Sequence, residues 1–417
     1  MNKINYKSVP IKRIGKVVTG KTPATAHKEF YDGQYMFISP TELHGGYFVK
    51  KSEKTLTEAG LKSVKSNSID GTSILVGCIG WDMGNVAMCN EKCATNQQIN
   101  SITEIKEEYN PYYVYYWLCG KKEYLFSIAS VTRTPILSKS VFEEVLVPLP
   151  EKKQQDNVVN ILLRIDKKIA LNEQINDNLE QQLMLLYDYW FTQFDFPDKD
   201  SNPYQTSGGK MVWNDTLKRN IPENWKVQSV ISNCLSSIIK PGVEIFNTKI
   251  YLATADVKGT SISTGTIVDY DGRESRANMQ PSINSVWFAK MKNSIKHLYL
   301  NKEMQPIISS SILSTGFCGL QCKEISFEYI ASYVSNAYFE IHKDMLAHGA
   351  TQEAVNNDDL TGVHIIIPED TVLHAYHETT QAIYAQISKN ICENQELVKL
   401  RDWLLPMLMN GQATISD

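Results

Sequence analysis

Residues 158–190 read VVNILLRIDKKIALNEQINDNLEQQLMLLYDYW, and apolar residues recur along them in alternating steps of four and three. This spacing is typical of the seam of a coiled coil, in which one helix packs against another. Eight of the ten seam positions are apolar, and the two in the middle are Asn. The ten positions are Val158, Leu162, Ile165, Ile169, Asn172, Asn176, Leu179, Leu183, Leu186 and Trp190.

The same pattern returns 218 residues later (390 − 172 = 218). Asn390 and Asn394 repeat the Asn pair, and Pro368 precedes the second stretch as Pro150 precedes the first. A gap-free register of this length indicates a tandem duplication in which each copy ends in a long amphipathic helix. The repeated positions are Tyr376, Thr380, Ile383, Ile387, Asn390, Asn394, Leu397, Arg401, Leu404 and Leu408.

We expect the two helices to pack against each other, because an Asn in a dry seam costs stability unless it finds a partner. Two paired helices of about 40 residues would form a stiff spacer of roughly 60 Å. The alternative, that each helix packs separately against its own globular domain, stays open. The predicted helix–helix interface comprises Leu162, Ile165, Ile169, Asn172, Asn176, Leu179, Ile383, Ile387, Asn390, Asn394, Leu397 and Leu404.

A chain of 417 residues exceeds one ordinary core. The duplication predicts two α+β domains with short strands and long loops, separated by two long helices that form a coiled coil. Within the first domain we predict one strand over residues 9–18 and a buried strand over 73–79, for which 285–289 is the nearest counterpart in the second copy. The predicted domain boundaries are 1–150, a helix over 151–194, a loop-like linker over 195–220, a second domain over 221–368 and a helix over 369–410.

Composition excludes several classes of protein. A net charge of −4 gives no general attraction for nucleic acid, although a local basic patch can still bind it. The first residues lack the apolar core of a signal peptide and no apolar run could span a membrane, so we predict a cytoplasmic protein. The spacings of Cys89 with Cys93 and of Cys318 with Cys322 are not those of a zinc site, so we expect no metal.

No motif for catalysis is present in the sequence. We find no Walker loop, no Rossmann glycine fingerprint, no adenosylmethionine loop and no Asn/Asp-Pro-Pro-aromatic methyltransferase signature. We therefore predict no catalytic residue and no cofactor in this chain. The remaining candidates for function are the polar loops of the two divergent domains, which we call the first and second heads.

These loops are rich in side chains that bind DNA. Gln and Asn can pair bidentately with adenine, Arg and Lys with guanine, and cations hold phosphates. Two heads about 60 Å apart would match half-sites roughly 18 base pairs apart. Each of these side chains could equally be ordinary surface polarity. The predicted DNA-binding residues are Lys21, Thr22, Trp81, Gln97, Gln98, Arg133, Lys258, Arg273, Arg276, Gln280, Thr351 and Gln352.

A series of short motifs, repeated in order, resembles the specificity (S) subunits of type I restriction-modification systems. The resemblance covers nearly the whole chain, and its strength lies in the doubled order rather than in any single motif. The motifs are GKTP at 20–23, SILV at 73–76, NQQ at 96–98, VPLP at 147–150, IDKKI at 165–169 with Asn172, YDYWF at 187–191, SGGKM at 207–211, TQ at 351–352 and LLP at 404–406.

The resemblance implies two target-recognition domains, held apart by two antiparallel helices, that bind a bipartite double-stranded DNA sequence, one half each. It implies that the helices dock two methyltransferase subunits, which bring S-adenosylmethionine and methylate adenine, and that restriction subunits using ATP and Mg²⁺ can join them. It also implies that the chain itself is not an enzyme. The second copy departs from the family pattern, since it has no clear counterpart of residues 73–80.

Two other functions remain open. A protein-only scaffold with two binding heads on a coiled-coil spacer would share the duplication but would not bind DNA. A fused restriction and methylation enzyme is disfavoured by the missing cofactor loops.

Overall fold

Two long helices run through both parts of the fold. In a computed structural model, which describes residues 6–44, 46–131, 133–263, 265–350 and 352–412, the central helix spans Lys152–Tyr187 and the distal helix Asp370–Met409. A π-helical turn, Asp188–Thr192, continues the central helix. The chain divides into a first unit of Met1–Lys167 with Lys399–Asp417 and a second unit of Lys168–Val398, so each unit holds one head and parts of both helices.

The first head contains two four-stranded sheets. One is antiparallel throughout, with its strands in the order Lys16–Thr19, Ile99–Thr103, Ser73–Gly77 and Val86–Cys89. The other contains one parallel pair in its centre, with the order Lys54–Leu56, Tyr31–Ile38, Cys93–Thr95 and Ser68–Ile69. Two-stranded ladders join Lys7–Pro10 to Leu146–Leu149 and Ser130–Val131 to Pro135–Ile136.

The second head repeats this topology. Its antiparallel sheet has the order Ser236–Ile238, Phe317–Cys322, Ser285–Ala289 and His297–Leu300. Its mixed sheet has the order Thr266–Val268, Lys249–Leu252, Ser311–Ser314 and Ala277–Met279, again with the parallel pair in the centre. Two-stranded ladders join Lys226–Ser229 to His364–Ile367, Val257–Lys258 to Ser261–Ile262 and Met211–Asn214 to Arg219–Pro222.

Short helices cover the sheets. The first head has Ile11–Ile14, Glu58–Ser63, Pro111–Cys119, Lys122–Ser127 and Lys139–Glu143, and the second has Gln305–Ser310, Phe327–Ser335 and Ala337–Leu346. Asn110 shows why one begins where it does, because its side chain accepts hydrogen bonds from the backbone N–H groups of Tyr112 and Tyr113 ahead of Pro111. Single 3-10 turns are Lys28–Phe30, Pro40–His44, Lys65–Asn67, Thr254–Asp256, Lys302–Met304, Glu324–Ser326 and Asp359–Gly362.

A buried strand at the centre of each head explains the shared topology. Ser73–Gly77 is buried along its whole length, and its side chains alternate between two apolar clusters. Ile74 and Val76 pack in one cluster and Leu75 in the other. Ser285–Ala289 alternates in the same way, so it takes the place in the second head that Ser73–Gly77 takes in the first. The expected α+β class is therefore confirmed, and 285–289 is the counterpart of the first-head strand.

Four Asn side chains join the two long helices within the second unit. Asn172 donates its side-chain N–H to Oδ1 of Asn394 at 2.9 Å, and Asn390 donates to Oδ1 of Asn176 at 2.8 Å. The partner's number falls as the first number rises, so the helices run antiparallel here. Asn172, Asn176 and Asn390 are buried, as the coiled-coil seam predicts.

The pairing of these four amides follows the duplication. Asn394 also donates to the carbonyl of Ile169, and Asn176 to that of Ile387, both at 3.4 Å. Ile169 and Ile387 are equivalent in the two copies (387 − 169 = 218), so a local pseudo-two-fold axis relates the two sets of bonds. Each amide has partners, and this offsets the cost of burying it.

In the first unit, the start of the central helix meets the end of the distal helix. Leu162 is fully buried in one cluster with Leu408, against which Leu404 packs. Asp166, which is 3% exposed, accepts hydrogen bonds from Arg401 Nη1 at 3.0 Å and from the Tyr116 hydroxyl at 2.5 Å. Tyr116 belongs to the first head, so the helices contact both each other and the head.

The other predicted interface residues also lie at buried or half-buried positions. Ile165 is buried in the first unit, while Ile387 is buried and Leu179 and Ile383 pack against the main cluster of the second unit. Leu397 is half-buried. Mutual pairing and packing against a head, which the sequence presented as alternatives, therefore occur together in each unit.

Two local predictions are wrong. Residues 9–18 do not form one strand, because Ile11–Ile14 is a turn of helix between two strands that places Ile11 and Ile14 in the core. The linker 195–220 is not all loop, because Met211–Asn214 and Arg219–Pro222 form a hairpin. The units also cut both helices, whereas the predicted domain boundaries keep each helix whole.

Candidate nucleic-acid interface

The loops at one end of the antiparallel sheet form the candidate interface of the first head. Thr19 pairs with Asn100 and Gly77 with Ile99, so three strands reach this end together. The segments that leave it are 20–23, 78–85 and 96–98, and we call them the first loop edge. They carry five predicted DNA-binding residues: Lys21, Thr22, Trp81, Gln97 and Gln98.

Hydrogen bonds fix the amide side chains of the first loop edge. The Thr22 hydroxyl donates to Oε1 of Gln97 at 2.8 Å, and Asn96 Nδ2 donates to Oε1 of Gln98 at 3.0 Å. In both bonds Gln accepts, which leaves the Nε2 donor of exposed Gln97 directed elsewhere. Gly20 is required here, because a Cβ on it would lie 2.1 Å from the carbonyl oxygen of Asn96.

The loop that contains Arg133 joins the same edge. Gly80 N–H donates to the carbonyl of Pro135 at 3.0 Å, and Leu137 N–H donates to that of Cys78 at 2.8 Å. Arg133 is exposed two residues before Pro135. Burial raises the pKa of the Cys78 thiol to about 12, so this residue of the loop is an inert thiol.

The second head brings equivalent loops together at its own sheet end. Lys290 N–H donates to the carbonyl of Gly316 at 2.9 Å, as Cys78 N–H does to that of Gln98 at 2.7 Å. Val355 N–H donates to the carbonyl of Lys290 at 3.0 Å, the counterpart of the bond from Leu137. Segments 239–242, 290–296, 314–316 and 352–354 form what we call the second loop edge.

The predicted residues of the second head are scattered more widely. Arg276 adjoins the second loop edge, because its carbonyl accepts the N–H of Thr315 at 2.8 Å, and exposed Gln352 belongs to that edge. Lys258 is exposed beside it, since Gly259 bridges to Lys296. Arg273 instead lies over the Tyr270 ring at 3.9 Å, and Gln280 lies beside Lys249 at 3.5 Å. Thr351 falls outside the described residues.

Four lysines of the second loop edge were missed by the sequence analysis. They are Lys240, Lys290, Lys292 and Lys296. Three of them fall within seven residues directly after the buried strand Ser285–Ala289. Their position was a usable signal, because 285–289 is the nearest counterpart of the strand over 73–79 and the turn after that strand carries Trp81 in the first head.

A buried cluster of charged side chains packs against the backbone of the second loop edge. Lys343 has no exposed surface, and it donates to the carbonyl of Ala289 at 3.2 Å and pairs with Glu340 at 2.7 Å. His297 adds a contact to Glu340 at 2.8 Å. Burial favours the neutral acid of Glu340, but the hydrogen bonds from His297 and Lys343 outweigh it and lower the pKa of this carboxyl below its usual 4.5.

Each unit also carries a groove at the equivalent place, between a long helix and a head helix. The first groove has a volume of about 410 Å³ and the second about 270 Å³. Asp402, Leu405 and Met409 line the first, and their equivalents Met184, Tyr187 and Phe191 line the second (405 − 187 = 218). Beside these lining residues the helices expose equivalent large apolar side chains, Trp403 at 59% and Leu185 at 70%.

Two features are absent from the described ranges. Within them, no group of three or more His, Cys, Asp or Glu side chains could hold a metal ion. Over the same residues, none of the helices combines the length and apolar character that crossing a bilayer requires.

The sequence is similar to those of known proteins. The family model described as "Type I restriction modification DNA specificity domain" matches residues 3–181. The chain is 26% identical to the type I restriction enzyme MjaIX specificity subunit of Methanocaldococcus jannaschii, over 98% of this chain and 93% of that protein. It is 32% identical to the HindI specificity subunit of Haemophilus influenzae, over 34% of this chain and 31% of that protein.

A solved structure shares the fold. The type I restriction-modification S subunit from M. genitalium superimposes with a TM-score of 0.50, covering 98% of this chain and 97% of that one at 14% identity. At that identity the likeness is one of fold alone. Residues 3–181 therefore match a type I restriction-modification DNA specificity domain, and 98% of the chain is similar in sequence to a type I specificity subunit.

Proposed function

We propose that this chain reads a bipartite DNA target, with one half-site bound by each loop edge. The observation that carries this proposal is the contrast between the two heads. They share a strand order and backbone bonds, but amides dominate the first loop edge and lysines the second. A protein that reads two different half-sites needs such a common frame with different side chains on it.

The chemistry of each edge suggests what it reads. Gln97 and Gln98, held by Thr22 and Asn96, are suited to adenine in the major groove, where an amide can both donate and accept. Lys21 and Arg133 would hold phosphates or guanine beside them. In the second head, Lys258, Arg276 and Gln352 would act with the four lysines of the second loop edge, while the contacts of Arg273, Gln280 and Thr351 with DNA stay predictions.

We further propose that the chain is a non-catalytic subunit that docks two methyltransferase subunits. Two like partners need two like surfaces, and the equivalent grooves with Leu185 and Trp403 beside them supply a pair. The partners would bring S-adenosylmethionine for adenine methylation, and restriction subunits would bring ATP and Mg²⁺. The chain itself would bind none of these cofactors.

A DNA-protection experiment tests the reading of two half-sites. The chain, purified with its methyltransferase partner, is footprinted on its methylated sequence as wild type and as Gln97→Ala/Gln98→Ala. Loss of an adenine-pairing amide should weaken binding roughly 10-fold or more and relax discrimination in one half-site only. The matched control is Gln181→Ala, an exposed Gln on the central helix, which should bind as wild type.

Two results would contradict this part of the proposal. Equal loss of discrimination in both half-sites would show that the heads do not read separately. Absence of any footprint with the partner present would favour the alternative function, a scaffold that binds only protein.

Native mass spectrometry tests the docking. Leu185→Glu and Trp403→Glu change exposed residues, so each variant should fold. Each alone should lose one methyltransferase subunit, and the double variant should lose both. Full assembly of the double variant would show that the partners dock elsewhere.

A further inference from the structure

Both heads hold an exposed apolar side chain on a rigid turn, at the same place in the topology. The turn 78–85 joins Ser73–Gly77 to Val86–Cys89 in the first head, and the turn 290–296 joins Ser285–Ala289 to His297–Leu300 in the second. Trp81 is 71% exposed on the first turn and Ile295 is 64% exposed on the second. The two turns have unlike sequences, CIGWDMGN and KMKNSIK. The exposed apolar side chain was therefore not simply retained from the duplicated sequence.

Side-chain contacts brace the first turn on the C-terminal side of Trp81. Met83, two residues on, is 1% exposed in the core. Lys122 Nζ donates to Asp82 Oδ1 at 2.7 Å and to Asn85 Oδ1 at 3.0 Å, and His44 lies 2.8 Å from the other oxygen of Asp82. Trp81 keeps one ring contact with the head, to Phe126 at 6.1 Å between ring centroids, and most of its side chain stays exposed.

The second turn is braced by different residues to the same effect. Buried Lys343 donates to the carbonyls of Ala289 at 3.2 Å and Met291 at 3.5 Å. Asn293 N–H donates to Asp344 at 3.1 Å, and Lys292 pairs with Glu353 at 2.6 Å. In both heads the supporting lysine comes from the second of two consecutive head helices, Lys122–Ser127 or Ala337–Leu346.

Single exposed apolar residues are common on protein surfaces; these two are set apart by their equivalent place in the two heads and by the cations beside them. Cations lie beside each turn, with Lys21 and Arg133 on the first loop edge and Lys240 and Lys290 on the second. Lys292 and Lys296 are already bonded, to Glu353 and to the carbonyl of Thr254. This combination of an apolar tip with cations beside it fits duplex DNA, into which proteins insert apolar side chains between base steps while cations hold the phosphates. A protein partner of mixed charge would not need the same cations beside both tips.

We propose that Trp81 and Ile295 are wedges, each of which enters one base step of its half-site and partly unstacks it. This inference rests on the proposed function, because it needs each loop edge to lie on DNA. It adds a deformation of the duplex to the direct reading of bases, so a half-site would be selected partly for the ease with which one step opens.

A fluorescent base tests the wedges. 2-Aminopurine, whose emission rises when it is unstacked, is placed at successive positions through each half-site in complexes of the chain with its methyltransferase partner. Wild type should show a rise at one step in each half. Trp81→Ala should remove the rise in the first half-site only, Ile295→Ala in the second only, and each should weaken binding roughly 10-fold.

Matched variants separate the wedge from other roles of the same side chain. Trp81→Leu keeps an apolar tip and should keep most of the rise, whereas Trp81→Ser should lose it. Trp213→Ala removes a Trp that is 59% exposed on the hairpin of the second unit, and it should leave both rises unchanged.

The outcomes separate the two proposals. A clear footprint with no rise in either half-site, or a rise that persists in Trp81→Ala and Ile295→Ala, would overturn the wedges and leave the proposed function standing. Absence of both footprint and rise would overturn the proposed function and the wedges with it.

Discussion

The two heads agree where they are buried and differ where they meet water. Their sheets have the same strand order, and Ser73–Gly77 and Ser285–Ala289 alternate in the same way between two clusters. Their loop edges share backbone hydrogen bonds but not side chains. Packing constrains the frame of a head, whereas a loop edge is constrained only at its backbone, so a duplicated head can diverge at its loop edge without losing its fold.

The contacts between helix and head extend the comparison. Tyr116 donates to Asp166 in the first unit, while Ser332 bonds to Tyr384 at 2.8 Å in the second. Ser332 is the equivalent of Tyr116 (332 − 116 = 216) and Tyr384 that of Asp166 (384 − 166 = 218). Both units keep a hydrogen bond from a hydroxyl group. The larger side chain of the pair belongs to the head in the first unit and to the helix in the second. The summed volume of the pair is therefore kept, although neither position keeps its size.

The largest effect is expected from substitutions in the helix–helix seam, which both copies share. Ile169→Asp with Ile387→Asp places carboxylates beside the paired Asn side chains, and burying an unpaired charge costs at least about 4 kcal/mol. We expect the second unit to lose cooperative unfolding and the complex with methyltransferase to fail. Urea denaturation and gel filtration measure both.

A matched control lies on the same helix. Leu171 is 50% exposed, and Leu171→Asp should change the free energy of unfolding by less than about 0.5 kcal/mol. An intact complex in the double Ile variant would contradict the pairing of the helices through this seam.

A smaller loss of stability is expected when the hydrogen bonds between helix and head are removed, and its size should differ between the two units. Asp166→Ala leaves Arg401 and Tyr116 without their buried acceptor, and we expect a loss of about 3 kcal/mol. Ser332→Ala leaves the hydroxyls of Tyr376 and Tyr384 without a partner, and we expect a loss of about 1.5 kcal/mol, because no charge is involved. Equal losses in thermal unfolding would contradict the distinction between a charged and a neutral contact.

The pH dependence of stability sharpens the contrast further. The lowered pKa of Glu340 means that its carboxylate stabilises the fold above 4.5, the unfolded value, and that this contribution is lost as pH falls through the lower folded pKa. Glu340→Gln should therefore cost about 2 kcal/mol at pH 7. The difference from wild type should shrink steadily below pH 4.5.

Asp82 is the matched control in the first head. Lys122 lowers the pKa of Asp82 in the same direction, but the Asp82 side chain is 63% exposed. Solvent screens such a pair, so Asp82→Asn should cost less than about 0.5 kcal/mol at pH 7. A Glu340→Gln deficit that stayed constant down to pH 3 would show that the ion cluster does not hold the second loop edge.

The smallest effect concerns DNA contacts of the second head. Lys240→Gln should weaken DNA binding roughly threefold and lower the salt slope by about one, as for the loss of a single phosphate contact. Lys199→Gln changes an exposed lysine of the linker and should leave the slope unchanged. An unchanged slope for Lys240→Gln would remove this lysine from the interface.

The sequence was sufficient to predict the repeat and the burial of the Asn residues, because a seam of fixed period indicates which positions face a partner. The seam alone could not show that Asn172 pairs with Asn394 rather than with its own equivalent, Asn390, because that choice depends on the direction of the helices, which only the family resemblance indicated. The prediction of one strand over residues 9–18 was wrong because Ile11 and Ile14 are spaced for a helical turn within an otherwise strand-like run.

The loop edges were predicted unevenly for a similar reason. In the first head the residues of the edge follow recognisable strands, so Gln97 and Gln98 could be chosen from local pattern. In the second head Lys292 and Lys296 follow a strand whose sequence, SVWFA, shares little with SILVG. From sequence, 285–289 could be named only as the nearest counterpart of 73–79, and the pairing of the strands in space confirmed the match.

Exchange of one head tests the central claim most directly. Residues 221–368 are replaced by the corresponding head of another specificity subunit, and the adenine-methylation motif of the cell is sequenced with each version. We predict that one half of the motif changes while the other half stays as it was. A motif that changes in both halves, or in neither, would contradict the account of two independent readers on a shared frame.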